Sequence, residues 1–343
     1  MRLASLIAAA AFLLAPPGAT QAQDADFFRG KQVTMQIGSA AGGANDAYAR
    51  LLARHMGRHI PGNPTVVAQN VVGAGSLVLA NQLFTTQRRD GTLFGQLQRT
   101  LLLDPLLVNK PFVIKPLEFN WLGSLNRETN VFIAAANSPV KTLDDAKVHE
   151  IVMAAEGVET DGVVYPRLVN KFLGTKFRVV PGYDGDANMM LAIDRGEAHG
   201  RGGVPWSALK VTSADRLKRG TIRVIAQLGM KKHAELADVP MVLDAVTRDI
   251  DRKVLEALFA RQDMGRPFAI PPGVPADRVE MLRAAFAATT RDPEFLKEAN
   301  KLNFEIDLMD GKEMQALMNA LYAMPRDTVE AIKLVLQEAM GKR

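Results

Sequence analysis

From Lys31 onward, short apolar runs alternate with segments whose apolar residues recur every three to four positions, the rhythm of strands and amphipathic helices in an α/β chain. Residues 33–37 read as a first strand, and a helix from Asn45 follows, with Ala47, Tyr48, Leu51 and Leu52 on one face. Residues 65–68 read as a second strand, and the next helix is expected to start at Ser76 as its N-cap. Asp90-Gly91 is a turn signal ahead of a strand over 93–97. Further strands are expected over 121–123, 131–135, 151–155, 177–180 and 222–226, with helices over 141–146, 163–172 and 187–195. The apolar run 255–260 returns the chain to the first lobe, and four prolines between Arg266 and Pro275 keep that segment extended. Helical patterns then occupy 276–289 and 312–322, and Val329, Ile332, Leu336 and Ala339 mark a closing helix.

Composition narrows this picture. The chain has 343 residues, 48% hydrophobic and 23% charged, which excludes a disordered or fibrous protein and favours two domains with a cleft between them. The expected first lobe comprises 27–128 and 256–343, and the second comprises 129–255. The one long apolar run, 3–14, follows Arg2 and precedes Pro16, Pro17, Gly18 and small residues up to Ala22. It is shorter than the roughly 20 residues a membrane span needs, so residues 1–22 read as a secretory signal peptide. There is no cysteine, which removes disulfides, thiolate metal sites and a cysteine nucleophile. The net charge of +5 comes from 42 basic residues dispersed among 37 acidic ones, with no arginine-rich tract, and this pattern does not suit nucleic acid.

The main candidate chemistry lies in loops that follow strands. Gly38, Ser39, Ala40, Ala41, Gly42, Gly43, Ala44, Asn45 and Asp46 join the first strand to its helix. Glycines admit a ligand close to the backbone, and the free N–H groups of a helix start attract an anion such as a carboxylate. The plainer alternative is a tight turn capped by Asn45 or Asp46, and Asp46 is expected to cap rather than touch a ligand. The second loop, Gly73, Ala74, Gly75, Ser76, Leu77, Val78, begins like a dinucleotide fingerprint, but Val78 stands where glycine or alanine would close it. No Walker lysine follows either loop, so no nucleotide cofactor is expected, and Ser76 is instead expected to join the cleft. In the second lobe Glu156, Gly157 and Gly162 form one loop, and Pro181, Gly182, Tyr183, Asp184, Gly185 and Asp186 form another. Tyr183 offers a hydroxyl and a ring and Asn188 an amide, while Asp184 and Asp186 have the alternative role of solvated turn residues. Arg99 and Thr100 are expected at the cleft mouth, where the arginine could pair with a second carboxylate or simply face solvent. His55 and His59 are four apart on one helix but lack a third ligand, and no hydrolase or metalloprotease motif is present, so neither a metal nor catalytic residues are expected.

Taken in order, 38–46, Gln69-Asn70-Val71-Val72-Gly73-Ala74-Gly75, Asp90-Gly91-Thr92-Leu93, Val180-Pro181-Gly182-Tyr183-Asp184-Gly185, 192–198 and Asp238-Val239-Pro240 resemble the periplasmic Bug proteins. These are the solute receptors of tripartite tricarboxylate transporters. The resemblance implies a two-lobed periplasmic binding protein fold that closes on a small carboxylate. It also implies ligand contacts from Ser39, Gly42, Gly43 and Asn45 in the first loop, Ser76 in the second, and Tyr183, Asp184 and Gly185 opposite. Two departures stand out: Ala40 and Ala41 where the family is commonly proline-rich, and Ala155, Glu156, Gly157 where it usually has Ser-Ser-Gly. Glu156 would repel a carboxylate. The expected protein is therefore a periplasmic, non-enzymatic receptor that hands a mono- or dicarboxylate to inner-membrane transporter subunits without a cofactor. The alternatives are a ligand-sensing receptor for a signalling system and a periplasmic hydrolase.

Overall fold

Six strands built from the first and last parts of the chain form one sheet, in a computed structural model that describes residues 26–108, 110–157 and 160–341. The expected signal peptide lies outside the described residues. Strands β1 (Gln32–Ile37), β2 (Thr65–Asn70) and β3 (Leu93–Gln96) are parallel, with β1 central, because a crossover helix joins β1 to β2 and another joins β2 to β3. Beyond β3 the sheet turns antiparallel through β10 (Pro267–Ile270), β4 (Asn120–Ser124) and β11 (Met309–Asp310), in the order β11-β4-β10-β3-β1-β2.

The middle of the chain forms the second sheet, in the order β7-β6-β8-β5-β9. Its strands are β5 (Asn130–Ala135), β6 (Ile151–Ala154), β7 (Phe177–Val180), β8 (Gly200–Pro205) and β9 (Ile222–Leu228). Both sheets are covered on both faces, which is why β5 and β6 read as nearly unbroken apolar runs, and β1, although its sequence alternates polar and apolar residues, is buried from Val33 to Ile37. One buried cluster, centred on Trp121, Phe132, Tyr165 and Phe259, continues from lobe to lobe. Separate clusters fill the far side of the first sheet, around Phe28, Phe94 and Phe286, and of the second, around Met189 and Ile193.

The chain crosses between sheets after β4 and again before β10, and the two crossings run side by side. The Leu125 N–H donates to the Arg266 carbonyl at 3.2 Å, Gly265 N–H to Asn126 at 3.1 Å, and Glu128 N–H to Gln262 at 2.9 Å. A Cβ on Gly265 would sit 2.6 Å from the Asn126 side-chain oxygen, so only glycine lets the crossings approach this closely. The closing helix, Arg326–Ala339, straps the lobes at their side. Arg167 of the second lobe donates to the carbonyl of Ala339 at 2.8 Å, and Lys171 pairs with Glu338.

Several local expectations are corrected. The 141–146 pattern gives only a short helix at Asp145–Val148, because Asp145 turns back to accept the N–H groups of Lys141 and Thr142. Ser76 precedes the helix Leu77–Thr85 but makes no side-chain cap; at φ +72° it directs its hydroxyl across to the Gly38 carbonyl, 2.8 Å away. His55 and His59 face Glu298 and Asp292 at 2.6 and 2.7 Å, binding the helix Ala44–Met56 and the turn after it to the helix Pro293–Lys301.

A groove of about 1100 Å³ beside the crossings holds a charged cluster that joins the lobes. Glu305, ahead of β11, accepts from His233 at 2.8 Å and from Lys210 at 3.2 Å, and Lys210 also meets Glu235 at 2.7 Å. The bond to Glu305 raises the His233 pKa above its ordinary 6.5. Burial pushes the Glu305 carboxyl up, but the bonds from His233 and Lys210 outweigh it and leave the pKa below 4.5. The stability supplied by His233 is thus complete below pH 6.5 and is lost as the pH rises through its raised value. That supplied by Glu305 is present above pH 4.5 and is lost as the pH falls through its lowered value. The stability difference between the native protein and His233→Gln, measured by urea denaturation across pH, should be greatest from about 4.5 to 6.5 and shrink on the alkaline side. A difference independent of pH would show that His233 does not carry a charge here.

Candidate functional site

The carboxyl ends of β1, β3 and β6 point into a cleft of about 1290 Å³ between the lobes, the place where open parallel sheets leave backbone groups free for a ligand. From the first lobe it is lined by Ser39, Ala40, Ala41, Gly43, Ala44 and Asn45 after β1 and by Gln98, Arg99 and Thr100 after β3. The helix Ala44–Met56 begins here with Gly43 as an N-cap that offers no side-chain bond, so the helix start faces the cleft without an internal acceptor from its cap. The Ser39 hydroxyl is buried beside it and has no protein partner.

Asp46 holds this loop in shape. Its carboxylate accepts the Gly42 N–H at 2.9 Å, the Asn70 amide at 2.8 Å and the Arg50 guanidinium at 2.9 Å. Burial raises its pKa, but those bonds prevail and hold it below the usual value of 3.8. Asn70 also donates to the Ser39 carbonyl at 2.8 Å, so the end of β2 braces the loop after β1. The Gly42 N–H is engaged by Asp46, and Gly42 does not line the cleft. Nor does Ser76. Fully buried, it donates to the Gly38 carbonyl and accepts the Gln98 N–H at 3.1 Å, joining the two cleft loops from behind.

The second lobe contributes Glu156, Thr160 and Asp161 after β6, and Arg201, Gly202 and Gly203 from β8. Glu156 is exposed on the wall, whereas Gly157 lies outside the lining and accepts the Thr160 N–H and hydroxyl. Tyr183, Asp184 and Gly185 do not reach the cleft. The loop carrying them donates its Gly182 and Tyr183 N–H groups to the carbonyls of Glu156 and Ala155, at 2.6 and 3.1 Å, and so supports the wall from outside. Tyr183 packs its ring on the second lobe's outer cluster, and Asn188 bonds back to the Asp184 carbonyl. Of that loop only Asp186 lines the cleft.

The charged residues that dominate the cleft are mostly ones that motif reading does not single out. Asp161, in the first turn of the helix Asp161–Leu173, accepts from Arg261 at 2.7 Å, Arg99 at 3.2 Å and Asn130 at 3.2 Å. Arg99 comes from the first lobe and Arg261 from the helix Asp249–Asp263 that leads into the crossing, so this one carboxylate ties the lobes within the cleft. Arg201 meets Asp186 at 2.6 Å through Nη2, while its Nε and Nη1 have no protein partner. Arg266, buried at the crossing, lies 4.9 Å from the Tyr48 ring centre and 4.0 Å from Glu128, and its Nε is also unpartnered. Burial drives the Tyr48 phenol up to about 12, so it remains protonated and donates to the Glu305 carbonyl. These arginines lie in segments with no loop signature: Arg201 in a glycine run, Arg261 late in a helix, and Arg266 before a proline. Their only sequence mark is a charge inside an otherwise apolar stretch.

Among the described residues no group of three or more His, Asp or Glu side chains is placed to hold a metal, and no helix is long and apolar enough to cross a membrane. The cleft instead presents an unpaired hydroxyl, a helix start and guanidinium N–H groups from both sides. These groups can form charge-assisted hydrogen bonds with an acceptor-rich solute.

A two-lobed α/β protein with its donors gathered between the lobes defines the class of solute-binding receptors. Residues 48–334 match the family described as the tripartite tricarboxylate transporter family receptor, and the chain belongs to that family. It is 24% identical over 327 residues to a UPF0065 protein in the gbd 5' region of Cupriavidus necator, covering 90% of each chain. The fold matches a TctC solute binding protein from Polaromonas, with a TM-score of 0.67 at 18% identity over 88% of this chain and 98% of that one. It also matches an R. palustris protein solved with adipate, with a TM-score of 0.62 at 20% identity over 88% and 97% of the two chains.

Proposed function

We propose that this receptor works in the periplasm, captures a small organic anion, a mono- or dicarboxylate, and delivers it to the inner-membrane subunits of a tripartite tricarboxylate-type transporter. The observation that carries this reading is the surplus of donors in the cleft: the buried Ser39 hydroxyl and the start of the helix Ala44–Met56 on one side, with Arg201 on the other. Gly43, Asn45, Thr100 and the Arg99 face of the cleft complete the first wall in this reading, and the adipate bound to the R. palustris relative supports the ligand class. The Glu156 side chain, exposed on the opposite wall, restricts where a second negative charge can sit. Binding draws the lobes together because a ligand bonded to both favours the closed arrangement over one in which it touches a single wall. The solute leaves chemically unchanged, since the role needs capture and release rather than turnover.

Thermal unfolding against a panel of organic acids tests this directly. A solute that binds only the folded protein adds about 2.7 kcal/mol at one hundred times its Kd, which raises the melting temperature by several degrees. The expected outcome is a saturable shift with one carboxylate class, diminished in Ser39→Ala and Asn45→Ala. A shift only with cationic or uncharged solutes would overturn the anion assignment.

A further inference from the structure

Arg201 is anomalous for a residue on the third of five strands in a sheet. Its side chain is only 8% exposed, yet of its three guanidinium nitrogens only Nη2 finds an acceptor, on Asp186. A buried donor without a partner carries an appreciable desolvation penalty, and native proteins leave few of them. The surrounding sequence is arranged to keep it there. Gly202 has no room for a side chain, since a Cβ would approach Pro166 and Phe132 to 2.5 and 2.9 Å, and Gly203 adopts φ +64° with the Asp161 backbone 2.6 Å from where its Cβ would be. The helix Asp161–Leu173 can therefore lie flat on β8, and Arg201 lines the cleft between that helix and Asp186.

The other unpartnered donors of the cleft, Ser39 Oγ, Arg261 Nε and Arg266 Nε, belong to the loop after β1, the helix Asp249–Asp263 and the crossing segment. Arg99 and Arg261 are already satisfied in part by Asp161. That leaves Arg201 as the cationic group of the second lobe's strand wall with donors still to fill, among the otherwise acidic Glu156, Asp161 and Asp186.

We propose that Arg201 is the specificity-determining residue of this cleft: it takes the anionic group of the solute that lies away from the first-lobe loop, so that a doubly charged solute is preferred over a monoanion of the same length. This rests on the solute-receptor reading above and adds which residue reads the second charge. Asp186 holds the guanidinium in place through Nη2, and its negative charge offsets part of the attraction that Arg201 offers a ligand carboxylate at Nε and Nη1. The acidic neighbours make the arrangement selective. Without Arg201 they would repel a second negative charge, and with it that charge has one place to go.

The test uses straight-chain dicarboxylates of four to eight carbons, each paired with the monocarboxylate of equal length, titrated calorimetrically into the native protein, Arg201→Gln and Asp186→Asn. The native protein is expected to favour the dicarboxylate by tenfold or more. In Arg201→Gln that preference should fall to within threefold, through loss of dicarboxylate affinity. Since Arg201 is buried and its variant can fail to fold, Asp186→Asn provides an independent reading. Its side chain is 43% exposed, and removing the offsetting charge should raise dicarboxylate affinity threefold or more. A dicarboxylate preference that persists in folded Arg201→Gln, or dicarboxylate affinity that fails to rise in Asp186→Asn, overturns the assignment while leaving the receptor reading intact. Failure of the native protein to bind either member of any pair would remove both.

Discussion

Asp161→Ala is expected to destabilise the folded protein by about 3–5 kcal/mol, the cost of leaving a buried charge without its counter-ion. Asp161, Arg99 and Arg261 have side chains only 19%, 14% and 13% exposed, so the two guanidinium groups cannot recover their hydration when the carboxylate is removed. They would face each other with Asn130, the Tyr165 hydroxyl and Asp104 as the polar groups near the old site. Chemical denaturation measures the loss, and Asp161→Asn should retain part of the stability because its amide oxygen still accepts from one arginine. The double variant Arg99→Ala/Asp161→Ala should be less destabilised than the sum of its parts, since it removes the repulsion along with the charge. A cost below about 1 kcal/mol would mean that the triad behaves as a solvated surface pair. The same contact joins the lobes, so Asp161→Ala should also shift the unliganded protein toward a more open shape, readable as a larger radius of gyration in small-angle scattering.

Gly200→Ala should be at least as damaging, at more than about 3 kcal/mol, and is expected to abolish soluble folded protein at ordinary expression temperature. Gly200 begins β8, antiparallel to Ala134 of β5 and parallel to Met153 of β6. A Cβ there would lie 2.2 Å from the Ile133 carbonyl oxygen and 3.2 Å from the Ala134 Cα, both backbone atoms of the strand beside it. No side-chain rotation relieves such a contact, so β5 and β8 must separate and the wall bearing Arg201 is lost. Gly196→Ala is the matching control. Its φ is +76° but nothing lies within 4 Å of the added methyl, so only the conformational cost of about 1–2 kcal/mol applies. Equal tolerance of the two substitutions in urea denaturation would show that β8 can move aside.

The contrast between those two glycines shows where sequence reading stops. Strands such as 177–180 and the helix at 276–289 are legible because their apolar residues face a core on a fixed period, and the periodicity survives whatever they pack against. β8 is not legible. Gly-Arg-Gly-Gly-Val-Pro has no alternation and only Val204 as a β-branched residue to mark a strand, and its glycines are explained only by the neighbouring strand and the helix Asp161–Leu173 pressed against them. The helix Pro293–Lys301, by contrast, carries local signals, with Asp292 capping the Glu294 and Phe295 N–H groups and Pro293 at the first helical position, and the fold adds only its pairing with His55 and His59.

The candidate site divides in the same way. Residues 38–46 were readable as an anion-binding turn because glycine between a strand and a helix leaves backbone N–H groups free, which is a local property. Ser76 and Tyr183 sit in loops that look equally suitable, yet the fold turns Ser76 back to hold Gly38 and Gln98 together and packs Tyr183 against the outer core. Whether a polar side chain meets a ligand or braces the loop that does is decided by which neighbour claims its hydrogen bonds. The sequence by itself determined the α/β class, most of the elements and the loop after β1, because periodicity and backbone freedom are encoded within a few consecutive residues. Only the tertiary structure decided that Arg99, Asp161, Arg201, Arg261 and Arg266 share one cleft. Their positions span 168 residues of chain, from 99 to 266 inclusive, and the energies that pair them act through space across a desolvated gap between two lobes.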